Sequence, residues 1–114
     1  MKSKVPVISI AGVSNSGKTT LIVKLVKELK SRGYKVATIK HSHHSFELDT
    51  EGKDSWLHTK AGADAVVVTS HNTLGVIRHS PKEISLLEII NTYLQDMDII
   101  IVEGYKSENI PKIE

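Results

Sequence analysis

The chain has 114 residues, 39% hydrophobic and 25% charged, with a formal net charge of +2. That length suits one domain with a real core but little to spare, and so slight a charge gives no reason to expect nucleic acid or a membrane surface as partner. There is no cysteine, which rules out disulfides, thiolate metal sites and cysteine catalysis.

The opening Met-Lys-Ser-Lys-Val-Pro leads into only a short apolar run, so neither a signal peptide nor a membrane span is expected, and the cytoplasm is the expected compartment. Residues 5–10 are nearly all apolar, as in a buried parallel strand. Residues 12–19 then read Gly-Val-Ser-Asn-Ser-Gly-Lys-Thr, a complete G-x-x-x-x-G-K-[ST] loop between a strand and a helical pattern. Gly12 and Gly17 permit backbone angles and a close approach that a Cβ would block. The successive N–H groups of Ser14, Asn15, Ser16, Gly17, Lys18, Thr19 and Thr20 are expected to form a nest for phosphate oxygens, reinforced by the positive end of the following helix. Lys18 supplies a mobile ammonium for the β- and γ-phosphates, and Thr19 a hydroxyl for Mg²⁺. A nucleoside triphosphate, or something very like one, is the expected ligand.

The helix after the loop carries Leu21, Leu25 and Leu29 at i, i+4, i+8, with Ile22 and Val26 beside them. Lys24, Lys27, Glu28 and Lys30 lie mostly off that stripe, as on a solvated face. Gly33, after Arg32, suits the C′ position. Residues 34–39 form a second strand, and strand–helix–strand implies a right-handed parallel crossover. Residues 40–52 are polar and irregular. Asp54 or Ser55 is expected to cap a short helix through Lys60, which Gly62 ends. Ala65–Thr69 and Leu74–Arg78 read as strands around the turn-prone Ser70-His71-Asn72-Thr73. Pro81 is expected to open another helix, burying Ile84, Leu87, Ile89, Ile90 and Leu94. Residues 98–102 form an apolar core strand, and residues 110–114 read as the approach to one more. The expected fold is α/β, a single P-loop nucleotide-binding domain over residues 1–114: a three-layer αβα sandwich with a mainly parallel sheet.

A phosphate loop needs a carboxylate at the end of a neighbouring strand to hold Mg²⁺. Glu103 stands there, where open α/β sheets bind ligands, and Gly104 after it lets backbone approach the site. A solvated strand-end acid is the alternative. Asp49, in the polar segment, is the second candidate for the metal shell on weaker context. His41, His43 and His44 fall within four positions, suited to a zinc or nickel ion, to contact with phosphate or a bound cofactor, or to plain solvent. Lys53 has reach for an anionic ligand. Trp56 reads as a packing residue more readily than as a base-stacking one.

Together the phosphate loop, Arg32-Gly33, Ile39-Lys40-His41-Ser42-His43-His44, Asp49, Gly52-Lys53-Asp54-Ser55, Ala61-Gly62-Ala63 and Val102-Glu103-Gly104-Tyr105-Lys106 with Pro111-Lys112-Ile113 closely resemble the molybdopterin-guanine dinucleotide biosynthesis protein B (MobB) family. The phosphate loop is generic; the His-rich and Gly-Lys-Asp-Ser segments make the resemblance specific, and it runs over essentially the whole chain. It implies a GTP-binding accessory role in molybdenum cofactor biosynthesis, with weak GTPase activity at most, beside a MobA-type guanylyltransferase that joins GMP to molybdopterin. It further implies Mg²⁺ held by Thr19, Asp49 and Glu103, an anionic pterin phosphate near Lys40, His43 and Lys53, and a homodimer. The edge of the strand Leu74–Arg78 is the expected site of self-association. Family members continue beyond the position of Glu114, so this chain is expected to lack their C-terminal part, and it contains no Asn-Lys-x-Asp guanine reader. Two alternatives use the same loop. One is a metal-delivery GTPase with His41, His43 and His44 as ligands. The other is a small-molecule kinase, against which the presence of only two arginines, Arg32 and Arg78, counts.

Overall fold

The apolar runs and helical stripes form, in chain order, β1 (Val7–Ile10), α1 (Lys18–Ser31), β2 (Val36–Lys40), α2 (Asp54–Lys60), β3 (Ala65–Thr69), β4 (Leu74–Arg78), α3 (Leu86–Tyr93), β5 (Ile99–Glu103) and β6 (Lys112–Ile113). The computed structural model describes residues 4–10, 17–41, 53–104 and 112–113, with Lys18, Thr19, Lys112 and Ile113 described by backbone alone. The chain divides into two compact units, one of Met1–His43 with Ser85–Glu114 and one of His44–Ile84.

In the first unit the strand order is β2-β5-β1-β6, and every pairing is parallel. The strand–helix–strand reading of β1, α1 and β2 is right about direction, but β5 lies between the two strands. Its Ile-Ile-Ile-Val run explains the position, because an interior parallel strand is covered on both faces and takes apolar residues throughout. Ile100, Ile101 and Val102 are buried to 0–1% exposure.

Alternation along the strands gives the sheet two apolar faces. On one, Val7, Ile100 and Val102 join Val5 and the α3 residues Leu86 and Ile90 in a single core cluster, with Ala37, Ile39, Leu94 and Met97 packed against it. On the other, Ile101 shares a lining with Ile22 and Val23 of α1. Helices on opposite faces of a parallel sheet make an αβα arrangement, the expected fold class. β6 is the further strand read from residues 110–114, parallel to β1 through Ser9↔Lys112 and Ile10↔Ile113.

The helices begin and end for local reasons. On α1, Leu21, Ile22, Leu25, Val26 and Leu29 are half-buried while Lys24, Lys27, Glu28 and Lys30 are exposed. Gly33 stops it with φ +88, and the amides of Gly33 and Tyr34 donate to Lys30 O (3.0 Å) and Leu29 O (3.2 Å). That pair of bonds is a Schellman motif, which satisfies carbonyls the helix end would orphan. Pro81 does not open α3. The helix starts at Leu86, because Ser85 takes an extended conformation and its side chain accepts from the Glu88 amide at 3.1 Å. Ser85-Leu86-Leu87-Glu88 carries the spacing of a capping box, a stronger start signal than a proline five residues upstream.

The second unit pairs α2 with an antiparallel hairpin of β3 and β4, in register from Ala65↔Arg78 to Thr69↔Leu74. These strands form a sheet of their own. The expected side-chain cap on α2 is also corrected: the N-cap is Lys53, with no side-chain cap hydrogen bond. Asp54 is already inside the first turn, where its charge favours the positive helix end without capping it. Gly62 ends α2 through bonds from Gly62 N to Thr59 O and Ala63 N to His58 O. Among the described residues no helix is long and apolar enough to cross a membrane.

Replacing Ser85 by Ala should lower the unfolding free energy by about 1 kcal/mol. Urea denaturation checks this, with an unchanged m-value marking loss of the cap alone.

Candidate functional site

Parallel strands present their carboxyl ends along one edge, the edge at which open α/β sheets bind ligands. Here that edge gathers residues distant in sequence. Glu103, the last residue of β5, is level with Ile10 on one side and with Lys40 on the other. β2 and β5 are tied at both ends of their pairing. At the amino end, Lys35 N–H donates to Asp98 Oδ2 at 2.7 Å and Asp98 N–H donates to Lys35 O at 2.8 Å. Asp98 therefore ties the amino ends of β2 and β5 together, at the opposite end of the strand pair from Glu103. At the carboxyl end, His41 N–H donates to Glu103 O at 2.9 Å.

Below this edge, on the α1 face, lies a cleft of about 200 Å³ lined by Ile22, Val23, Thr38, Ile39, Lys40, Ile101 and Glu103. Aliphatic side chains line much of it, and the half-buried carboxylate of Glu103 and the exposed Lys40 supply opposite charges. Thr38 was not among the expected site residues. The signal was available, because Val36, Thr38 and Lys40 alternate onto one face of β2, the face that carries Glu103 on β5.

The helix that borders the cleft begins openly. Gly17 is the N-cap of α1 at φ 85, ψ 15, with no side-chain cap hydrogen bond and no acidic residue in the first turn. A left-handed entry of this kind is cheap only for glycine. Among the described residues, then, no side-chain cap or acid lies over its N-terminal donors, which suits an anion. Ile22 and Val23, one turn further on, touch the cleft that holds Glu103, so the open helix end and the carboxylate belong to one region of the sheet edge.

Of the expected site residues, Gly17, Thr20, Lys40 and Glu103 are described in the first unit, with Lys18 and Thr19 by backbone. Lys53 is exposed at the start of α2 in the second unit. Gly12, Ser14, Asn15, Ser16, His43, His44 and Asp49 lie outside the described residues. Among the described residues no group of three His, Asp or Glu is disposed to hold a metal ion. Trp56 is half-buried, with Lys60 Nζ 5.4 Å from its ring centroid one turn along α2.

Residues 7–114 match the family described as molybdopterin guanine dinucleotide synthesis protein B. The chain belongs to that family. It is 41% identical over 114 residues to a molybdopterin-guanine dinucleotide biosynthesis adapter protein of Haemophilus influenzae, covering 99% of this chain and 64% of that one. The Escherichia coli protein of the same description is 38% identical, with 98% and 66% covered. In both cases the chain spans slightly less than two thirds of its relative. The crystal structure of Bacillus subtilis MobB superposes with a TM-score of 0.77 at 30% identity, covering 94% of this chain and 65% of that one. Family membership and fold therefore agree.

Proposed function

We propose that this chain binds GTP with Mg²⁺ at the carboxyl edge of its parallel sheet and acts as an adapter in molybdopterin guanine dinucleotide biosynthesis. The observation that carries the reading is the uncapped, glycine-led start of α1 in the region of the cleft that holds Glu103. Phosphate oxygens would take the loop and helix N–H groups from Gly12 to Thr20, and Lys18 would add its ammonium. Thr19, Asp49 and Glu103 would hold the ion, which takes hard oxygen ligands of this kind; the half-buried carboxylate of Glu103 fits that demand. Lys40, with His43 and Lys53, would favour an anionic pterin phosphate.

The adapter reading rests on the relatives named for that role. The partner would be a MobA-type guanylyltransferase, which joins GMP to molybdopterin, and the setting the cytoplasm. Hydrolysis would be slow, because phosphoryl transfer gains most from cations around the transferring group and arginines are scarce here. Arg32 bonds Glu28 on the exposed surface at 2.8 Å, at the far end of a 14-residue helix that spans about 21 Å. This weighs against a small-molecule kinase. A metal-delivery GTPase would need His41, His43 and His44 together.

Self-association would use the hairpin. A two-stranded sheet is marginal by itself, and Leu74, Val67 and Val68 are 67%, 57% and 52% exposed. A second copy would cover the apolar surface and satisfy strand edges.

Lys18→Ala should lower GTP affinity at least about tenfold in a fluorescent-nucleotide titration, since a charge-assisted contact to phosphate is lost. With guanylyltransferase, molybdopterin and GTP, the wild-type chain should raise dinucleotide yield and Lys18→Ala should not. Rapid phosphorylation of a small metabolite by the chain alone would overturn the adapter reading.

Glu103→Gln and Asp49→Asn should each weaken Mg²⁺-supported GTP binding more than binding in EDTA. Wild-type Mg²⁺ dependence in both variants would remove these acids from the metal shell.

Leu74→Lys should reduce the dimer fraction in light scattering at high protein concentration. A monomeric mass for the wild-type chain under those conditions would end the dimer reading.

A further inference from the structure

Gly17, Gly33, Gly62 and Gly104 all have positive φ. At the first three, an added Cβ would meet nothing within 4 Å. Gly33 and Gly62 end helices, and Gly17 starts one. Gly104 caps no helix, and an added Cβ there would lie 2.6 Å from His41 O, 3.2 Å from His41 Cβ and 3.4 Å from His41 C. The nearest atom is backbone, so it has no rotamer through which to move aside. This contact adjoins the hydrogen bond from His41 N–H to Glu103 O, and it falls where Lys40 and Glu103 stand level across the β2–β5 pair.

We propose that Gly104 is a positioning residue: its bare Cα lets the exit of β2 close on the exit of β5, which holds Glu103 and Lys40 side by side at the ligand edge. A side chain at residue 104 would lever His41 away from β5 and draw Lys40 off the level of Glu103. The functional part of this inference rests on reading the edge as the Mg²⁺ and nucleotide site.

The test compares Gly104→Ala and Gly104→Asn with Gly33→Ala. Gly33→Ala imposes comparable backbone strain where a Cβ has open space, and it lies at the other end of α1. Asn tolerates positive φ better than Ala, so equal damage from both residue-104 variants would point to the Cβ contact. The first readout is amide exchange by NMR in the ligand-free chain. His41 should exchange at least about tenfold faster in both residue-104 variants. Asp98, whose amide bonds Lys35 O at the opposite end of the strand pair, should keep its rate relative to the rest of the sheet. The second readout is the ratio of GTP affinity in Mg²⁺ to that in EDTA, which should fall at least about fivefold in the residue-104 variants and stay unchanged in Gly33→Ala.

Wild-type exchange at His41 would overturn the proposal, as would faster exchange with an unchanged affinity ratio, which makes the contact merely structural. Failure of both residue-104 variants to fold while Gly33→Ala folds would make residue 104 a folding requirement and overturn the positioning role as well. If the wild-type chain itself shows no Mg²⁺-dependent GTP binding, the nucleotide reading fails separately. The exchange rates then decide whether Gly104 holds the two strand ends together.

Discussion

β5 has a strand on each side and packed side chains on both faces, and most of the first unit is arranged around that double demand. Ile100 and Val102 meet α3 residues in one core cluster, while Ile101 faces the layer of α1. Burial of a Val or Ile side chain contributes about 1.5–3 kcal/mol, so these three residues are comparable with the whole net stability of a small domain. The same strand carries Glu103 at its end. A slip of one residue in its pairing would turn Ile100 and Val102 away from α3 and carry Glu103 to the opposite face. The hydrophobic register therefore aims the carboxylate, and core and site are one problem for this sequence.

The cleft and the start of α1 divide the chemistry between backbone and side chain. An uncapped helix start offers fixed N–H donors and a partial positive charge that need no titratable group. Glu103 and Lys40 supply side-chain charges at the same edge, on strands whose positions are set by packing. On the proposed reading, preorganisation of this sort would suit holding a charged ligand more than turning it over. Turnover asks for further cations at the transferring group, and Arg32 is committed to Glu28 at the far end of its helix.

Local patterns were the legible part of the sequence. The i, i+4 leucines and Gly33 identify α1 and its end, and the bounds of β3 and β4 are those observed, because β-branched runs flanked by turn residues leave little choice. Pro81 misleads because a proline announces a permissible start, whereas Ser85 and Glu88 bond the actual one. The α2 cap misleads for the converse reason: Asp54 has the right chemistry one position too far into the helix. Strand order was not legible. Nothing local in β1, α1 and β2 reveals that a strand some sixty residues beyond β2 will separate the two. At the site, Glu103 could be found from its place after an apolar run and Lys40 from its place after β2, while the pairing that sets Lys40 level with Glu103 emerges only once β2 and β5 are in register.

The insertion of β5 between β1 and β2 also bears on how the chain assembles during synthesis. Both neighbours leave the ribosome well before β5, with a strand-wide gap between them that only β5 fills. Until it arrives, their inner edges lack partners, and the interim β1–α1–β2 segment has no complete core to bury. Closing that gap brings together segments far apart in the chain, the kind of non-local pairing that slows folding. Native pairing of β1 and β2 with their shared neighbour must therefore wait for β5 to emerge, and until then their inner edges are open to other partners.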